Sequence, residues 1–176
     1  MSEKSIIVYC ETSKGKLAPI STEALGAARR LADQTGGSVI GIAIGKDAGR
    51  IAMEALHYGA NECYTTDLPE LADYQTDAYV AVFETVNHTL TPAMIIMGQT
   101  GVGRDLAPAL AAHLDSAAVL DCVELEIDPD SQRLLMTKPV YGGNAWAVFT
   151  SDFDPQIVTI RAKAMKSLEK DLGRSG

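Results

Sequence analysis

Two glycine-rich segments carry the residue types best suited to binding chemistry. The first, Gly98-Gln99-Thr100-Gly101-Val102-Gly103-Arg104-Asp105, follows an apolar run and opens a helix-like one. In a strand–loop–helix setting, glycines let backbone N–H groups approach a phosphate. The helix start favours negative charge there, and a guanidinium adds a bidentate contact. Gly98, Gly101, Gly103 and Arg104 are therefore the candidate cofactor-binding residues, in a loop that would take a phosphate or a partner. The spacing is neither GxGxxG nor GxxxxGK[ST], so a tight turn that uses its glycines for packing is the competing reading. Asp105 would cap or complement the helix start, and Pro108 is expected in the first turn, where proline is tolerated. The second segment, Lys138-Pro139-Val140-Tyr141-Gly142-Gly143-Asn144-Ala145, contains a Gly-Gly-Asn run. Such a run calls for positive φ or very close backbone approach, as in a hairpin turn, and it sets Lys138 and Tyr141 where a partner's surface could meet them.

Other chemistries are poorly represented. Ser21, Ser38 and Ser151 lack a GxSxG setting, and no acid, base or nucleophile set declares itself. Cys10, Cys63 and Cys122 form no CxxC pair and read as buried small hydrophobes. His57, His88 and His113 have no metal-ligand spacing. The net charge of −8 over 176 residues argues against nucleic acid, whose affinity rests on Lys and Arg neutralising phosphates. There is no apolar stretch long enough to span a bilayer and no signal-peptide pattern, so a cytoplasmic protein without membrane insertion is expected. The acidity is concentrated: Asp115, Asp121, Glu124, Glu126, Asp128 and Asp130 lie in a stretch without Lys or Arg. Val123, Leu125 and Ile127 alternate with Glu124 and Glu126, which predicts a strand with one solvated, acidic face. That face would either guard a sheet edge or dock a basic partner.

The elements that must position these segments alternate in type. Apolar runs at 5–10, 38–44 and 92–98 and a weaker strand-like run at 62–65 alternate with helical patterns at 21–35, 47–57, 76–90 and 102–114. Ser21 is the expected N-cap of the first helix, and Gly36-Gly37 ends it. This order predicts right-handed crossovers and a parallel sheet covered on both faces. After Ala118 the runs at 118–127, 133–141, 145–151 and 156–161 are strand-like, with no helix-length segment between them. They are expected to pair mainly as antiparallel hairpins, with Trp146 and Phe149 in the core. The fold class is thus α/β, a parallel-sheet three-layer sandwich of the Rossmann-like type with a C-terminal antiparallel β extension. Residues 1–165 would form the domain and 166–176 a charged tail, either a frayed helix or the start of a linker.

Four ordered segments resemble the N-terminal domain of the electron transfer flavoprotein alpha subunit. They are Glu11-Thr12-Ser13-Lys14-Gly15-Lys16-Leu17 running on into the first helix, and Gly101-Val102-Gly103-Arg104-Asp105-Leu106-Ala107-Pro108. The other two are Lys138 to Ala145 and Ile157-Val158-Thr159-Ile160-Arg161-Ala162-Lys163-Ala164. The resemblance implies an adenine-nucleotide-binding-like sandwich that pairs with a beta subunit. In that family FAD lies chiefly on the alpha subunit's C-terminal domain, and the beta subunit holds AMP or a second FAD. It therefore implies an electron-transfer subunit rather than an enzyme, with FAD held by a partner or further domain and AMP as a possible ligand. The partner would be a beta-like subunit or a separate FAD-domain chain, with a homodimer as a further option. Gly101, Gly103, Arg104, Asp105, Tyr141, Gly142, Gly143 and Asn144 are then interface or loop-shaping residues. The alternative is a stand-alone, sensor-like domain that binds an adenine nucleotide at the Gly98–Arg104 loop.

Overall fold

Apolar runs that offer no polar face must be covered on both sides, and Ile6–Tyr9, Val39–Ile44 and Met94–Gly98 in the first half of the chain are buried in this way. The computed structural model describes residues 4–175. Strand β1 (Ile6–Tyr9) leads through a small hairpin, β2 (Thr12–Ser13) and β3 (Lys16–Leu17), into helix α1 (Pro19–Thr35). Next come β4 (Val39–Ile44), α2 (Ala48–His57), β5 (Glu62–Thr66), α3 (Thr76–Leu90), β6 (Met94–Gly98) and α4 (Gly101–His113). The last part contains β7 (Ala118–Cys122), β8 (Glu124–Ile127), β9 (Leu134–Val140), β10 (Ala145–Phe149) and β11 (Gln156–Ile160).

Six strands form one parallel sheet in the order β5-β4-β1-β6-β11-β7. Alternate residues of β1 serve opposite layers. Ile6 and Val8 pack with α1 and α2 residues such as Leu25, Leu31 and Ile51. Ile7 and Tyr9 pack with Phe83 of α3 and Leu106 and Leu110 of α4. The order of strand addition reverses between β1 and β6, because β1 feeds α1 toward β4 whereas β6 feeds α4 toward β7. The carboxyl ends of β1 and β6 therefore flank the crevice where open α/β sheets bind ligands.

The pairing of the second half differs from the sequence expectation. The run 118–127 breaks at Val123 into two strands of different sheets, and only β8, β9 and β10 form the antiparallel extension. The run at 156–161 is β11, which is inserted in parallel between β6 and β7 in the main sheet. Arg133 ties the returning chain down by donating to the Ser151 and Phe153 carbonyls and the Asp154 carboxylate. The extension packs on α1 through Leu125, Leu134 and Met136.

Helix starts differ as well. Helix α1 begins at Pro19, and Ala18 is its N-cap. The Ser21 hydroxyl instead accepts from the Glu11 backbone N–H at 2.8 Å, because it is buried against the strand-to-helix connection. Pro108 lies inside α4 rather than in its first turn. The Arg104 carbonyl thereby loses its i+4 partner on an exposed helix face, where water can replace it.

The C-terminal segment is neither helical nor detached among the described residues. Met165 is buried, Arg30 donates to the Lys166 carbonyl, and the Lys163 N–H donates to the Glu23 carboxylate. Gly26 makes this possible, since a Cβ there would overlap the Lys166 carbonyl oxygen and lie 3.1 Å from Ser167 Cα. Gly26→Ala should raise helix propensity by up to about 1 kcal/mol yet push this segment off α1. Limited proteolysis should then cut residues 163–175 faster while the melting temperature holds. Unchanged cleavage would show that the contact is dispensable.

Candidate functional site

Three neighbouring features occupy the carboxyl edge of the sheet and the extension beside it. The first is the β6–α4 loop. Thr100 is the N-cap of α4, and its side-chain oxygen accepts from the Gly103 N–H at 3.0 Å. The same hydroxyl donates to the Glu11 carboxylate, also at 3.0 Å. A Cβ on Gly103 would overlap the Gly98 carbonyl oxygen, and one on Gly98 would press on Ile20 at 2.6 Å and Glu11 Oε1 at 3.1 Å. These two glycines are thus filled by strand–helix packing. Gly101 faces open space, and Arg104 is exposed. Asp105 accepts from the Tyr74 hydroxyl at 2.7 Å and the Thr76 hydroxyl at 2.6 Å, joining the start of α3 to α4. Those two hydroxyls hold its carboxyl below the usual range.

Glu11 and Thr100 did not stand out in sequence. A threonine before a helix is an N-cap signal, but nothing local pairs it with a carboxylate 89 residues away. Burial raises the Glu11 pKa to about 6, and the Thr100 hydrogen bond opposes that rise. Because its folded pKa is raised, Glu11 favours the folded state below its unfolded pKa and withdraws that contribution as pH rises through about 6.

Beneath Glu11 lies a cavity of about 330 Å3, lined by Tyr9, Tyr74, Tyr79, Ile44, Val102 and the Gly45–Asp47 turn among others. Further along the same edge, Arg161 grips Asp121 through two contacts of 2.9 and 2.5 Å. Asp121 adopts a φ of +68°, and its N–H donates to Thr159 Oγ1, whose hydroxyl donates to Gln99. The Arg161 hydrogen bond, with weaker help from the Lys138 and Arg104 charges, holds the Asp121 carboxyl below its usual range. Burial pushes the Cys63 thiol up to about 11 and Cys122 to about 12, so neither is a thiolate nucleophile near neutrality.

The third feature is the outer face of the β8–β10 sheet. The register places Glu124 and Glu126 of β8, Leu135, Thr137 and Pro139 of β9, and Trp146 and Val148 of β10 on one side. Trp146 is 65% exposed and Val148 60%, while Tyr141 at the turn reaches 84%. The expected burial of Trp146 and Phe149 therefore fails: Trp146 lies on the face without a packed layer, and Phe149, beside Met136 on the packed face, is left 41% exposed at the end of the edge strand. Tyr141, Gly142 and Gly143 all have positive φ, from 50° to 94°, and with exposed Asn144 they project the hairpin turn into solvent. No helix among the described residues is long and apolar enough to cross a membrane, and no group of three or more His, Cys, Asp or Glu there is placed to hold a metal.

A parallel sandwich with this antiparallel extension and this loop defines an α/β domain of the Rossmann-like class. Residues 6–176 match the electron transfer flavoprotein domain, and the chain belongs to that family. It is 38% identical to an electron transfer flavoprotein subunit alpha of Megasphaera elsdenii over 98% of this chain and 52% of the relative. A subunit alpha of Thermoanaerobacterium thermosaccharolyticum is 36% identical over the same shares. A Protein FixB of Azorhizobium caulinodans is 35% identical over 97% of this chain and 48% of the relative. The chain spans about half the length of the curated relatives it matches, and it is an alpha-subunit-like domain of this family. The stand-alone adenine-nucleotide reading is not favoured. Two of the three candidate glycines, Gly98 and Gly103, are filled by packing, and the Glu11 carboxylate stands at the α4 N-cap.

Proposed function

We propose that this chain is the partner-docking domain of an electron transfer flavoprotein alpha-type subunit, and that it binds a beta-like subunit through the outer face and free edge of β10. The observation that carries this is the distribution of side chains on the β8–β10 sheet. Both outer strands have an unpaired edge. The β8 edge carries Glu124 and Glu126, the kind of charge that keeps an edge from pairing. The β10 edge carries no charge and exposes Trp146 and Val148 beside Tyr141. A large aromatic at the centre of an apolar patch is a hot-spot composition, and an acidic rim steers a partner of complementary charge.

Flavin chemistry belongs to the family, but the β6–α4 loop is poorly suited to a dinucleotide's pyrophosphate, since Thr100 takes the Gly103 N–H and the Glu11 carboxylate stands at the helix start, where it repels an anion. The flavin is then held by a partner or by a further domain, and this chain supplies the surface that positions it. A relative in Anaerotignum propionicum, 34% identical over 96% of this chain, bears the name acryloyl-CoA reductase electron transfer subunit beta. That name is consistent with an assembly of several chains.

Sedimentation of this chain with a beta-type electron transfer flavoprotein subunit tests the proposal. A one-to-one complex, weakened as ionic strength rises because the acidic rim is screened, is the expected result. Two species sedimenting independently, or this chain alone dimerising through β10 and excluding the partner, would overturn it.

A further inference from the structure

The cavity at the sheet's reversal point plays no part in that docking surface, and its lining has a chemistry of its own. We propose that it binds a small organic amine, with the ammonium group on the Glu11 carboxylate and the apolar body against the Tyr9, Tyr74 and Tyr79 rings. Tyr79 stands edge-on to Tyr9 at 6.2 Å and 85°, and to Tyr74 at 4.9 Å and 78°. Rings near right angles around one space present both faces and edges to it, and tyrosine faces attract cations. Ile44 and Val102 complete an apolar wall.

The polar lining favours a donor as the ligand. Glu11 uses Oε1 for Thr100, and Oε2 has no hydrogen-bond partner among the described residues. The Tyr79 hydroxyl already donates to the Leu71 carbonyl, and the Tyr74 hydroxyl to Asp105. Neither hydroxyl is left to donate, and the Tyr9 hydroxyl is itself paired with that of Tyr79. Of the charged groups around the space, Glu11 and Asp47 line it together with Lys46. Asp105 and Asp73 stand behind Tyr74 and Tyr79, and Arg50 approaches from the Gly15 side. The balance is negative, with Glu11 beside the Tyr9 ring and Asp47 next to Lys46 in the turn after β4. A volume of about 330 Å3 is at the small end of ligand pockets, which suits a compact molecule. Burial has already raised the Glu11 pKa to about 6, so a bound ammonium group would return it toward the ordinary range.

The test uses the chain by itself, so its outcome is separable from that of the docking proposal. Benzylamine, benzyl alcohol and benzoate share one shape and differ in charge, and each is titrated while the amide resonances of Glu11, Gly45, Tyr79 and Val102 are followed. Benzylamine should bind about tenfold more tightly than either analogue. Its advantage should fade as pH falls through about 6. Glu11→Gln keeps the acceptor for Thr100, and it should erase the preference for amine over alcohol while leaving the fold intact. Equal affinity for all three probes, no titratable shift with any of them, or persistence of the preference in Glu11→Gln would overturn the proposal. A preference for benzoate would do the same, since Lys46, Arg50 and the start of α2 would then govern the site.

Discussion

Gly103→Ala is expected to lower the unfolding free energy by about 3 kcal/mol, the upper part of the range for overpacking a tight site. The added methyl would overlap the Gly98 carbonyl oxygen, a backbone atom fixed by its place at the end of a central strand. No side chain can rotate out of the way, so α4 itself must shift from β6. Helix propensity pulls in the opposite direction by up to about 1 kcal/mol, too little to cancel the overlap. For a chain of this size a loss of about 3 kcal/mol corresponds to a melting temperature lower by roughly 6–12 °C. Gly101→Ala is the matched control, two residues away in the same turn, with nothing within 4 Å of the added carbon. It should hold or slightly raise the melting temperature. If the two variants melted together, the close approach at Gly103 would have no energetic weight. Because Thr100 and Glu11 hang on the same helix start, Gly103→Ala should also disturb the cavity and reduce amine binding, whereas Gly101→Ala should not.

The packing reading of Gly103 was open in the sequence but could not be separated from phosphate binding there, because both need a glycine after a strand. What decides between them is the distance between two backbones, which no spacing encodes. The α/β order of the first 114 residues was legible because β1, β4 and β6 are apolar on both faces and each helix repeats at its own period. Helix α3 falls where its pattern placed it, at Thr76–Leu90. The second half gave strands but not partners. β11 and β8 are similar short runs, yet one is inserted between β6 and β7 and the other edges a separate sheet. Ile157 and Val158 are buried on both sides, whereas Glu124 and Glu126 mark β8 as one-sided. That contrast was the available signal. Trp146 misled for a related reason: an apolar run implies burial, yet alternate residues of a sheet covered on one face point to solvent. Glu11 was invisible as a site residue because its partners come from a loop 89 residues later and from rings on β1 and α3.

If β10 is the docking strand, Trp146→Ala should weaken association with a beta-type subunit by about 30-fold, the equivalent of a hot-spot loss of about 2 kcal/mol. Its own fold should be unaffected to within about 0.5 kcal/mol, because a side chain so exposed contributes little to internal packing. This pairing of a large binding effect with an unchanged melting temperature distinguishes a docking residue from a structural one. Val148 sits two residues along on the same face, so Val148→Ala should weaken binding less, and combining it with Trp146→Ala should be non-additive because the two share one patch. Charge reversal on the far strand, Glu124→Lys with Glu126→Lys, should act mainly on the association rate and its salt dependence, as expected of a rim. Those substitutions also test the alternative that the acidic strand is the docking surface. In that case they, and not Trp146→Ala, would abolish the complex. Isothermal titration of the four variants against one partner, with thermal melts alongside, ranks the two faces directly. A Trp146→Ala variant that binds like the parent would remove β10 from the interface.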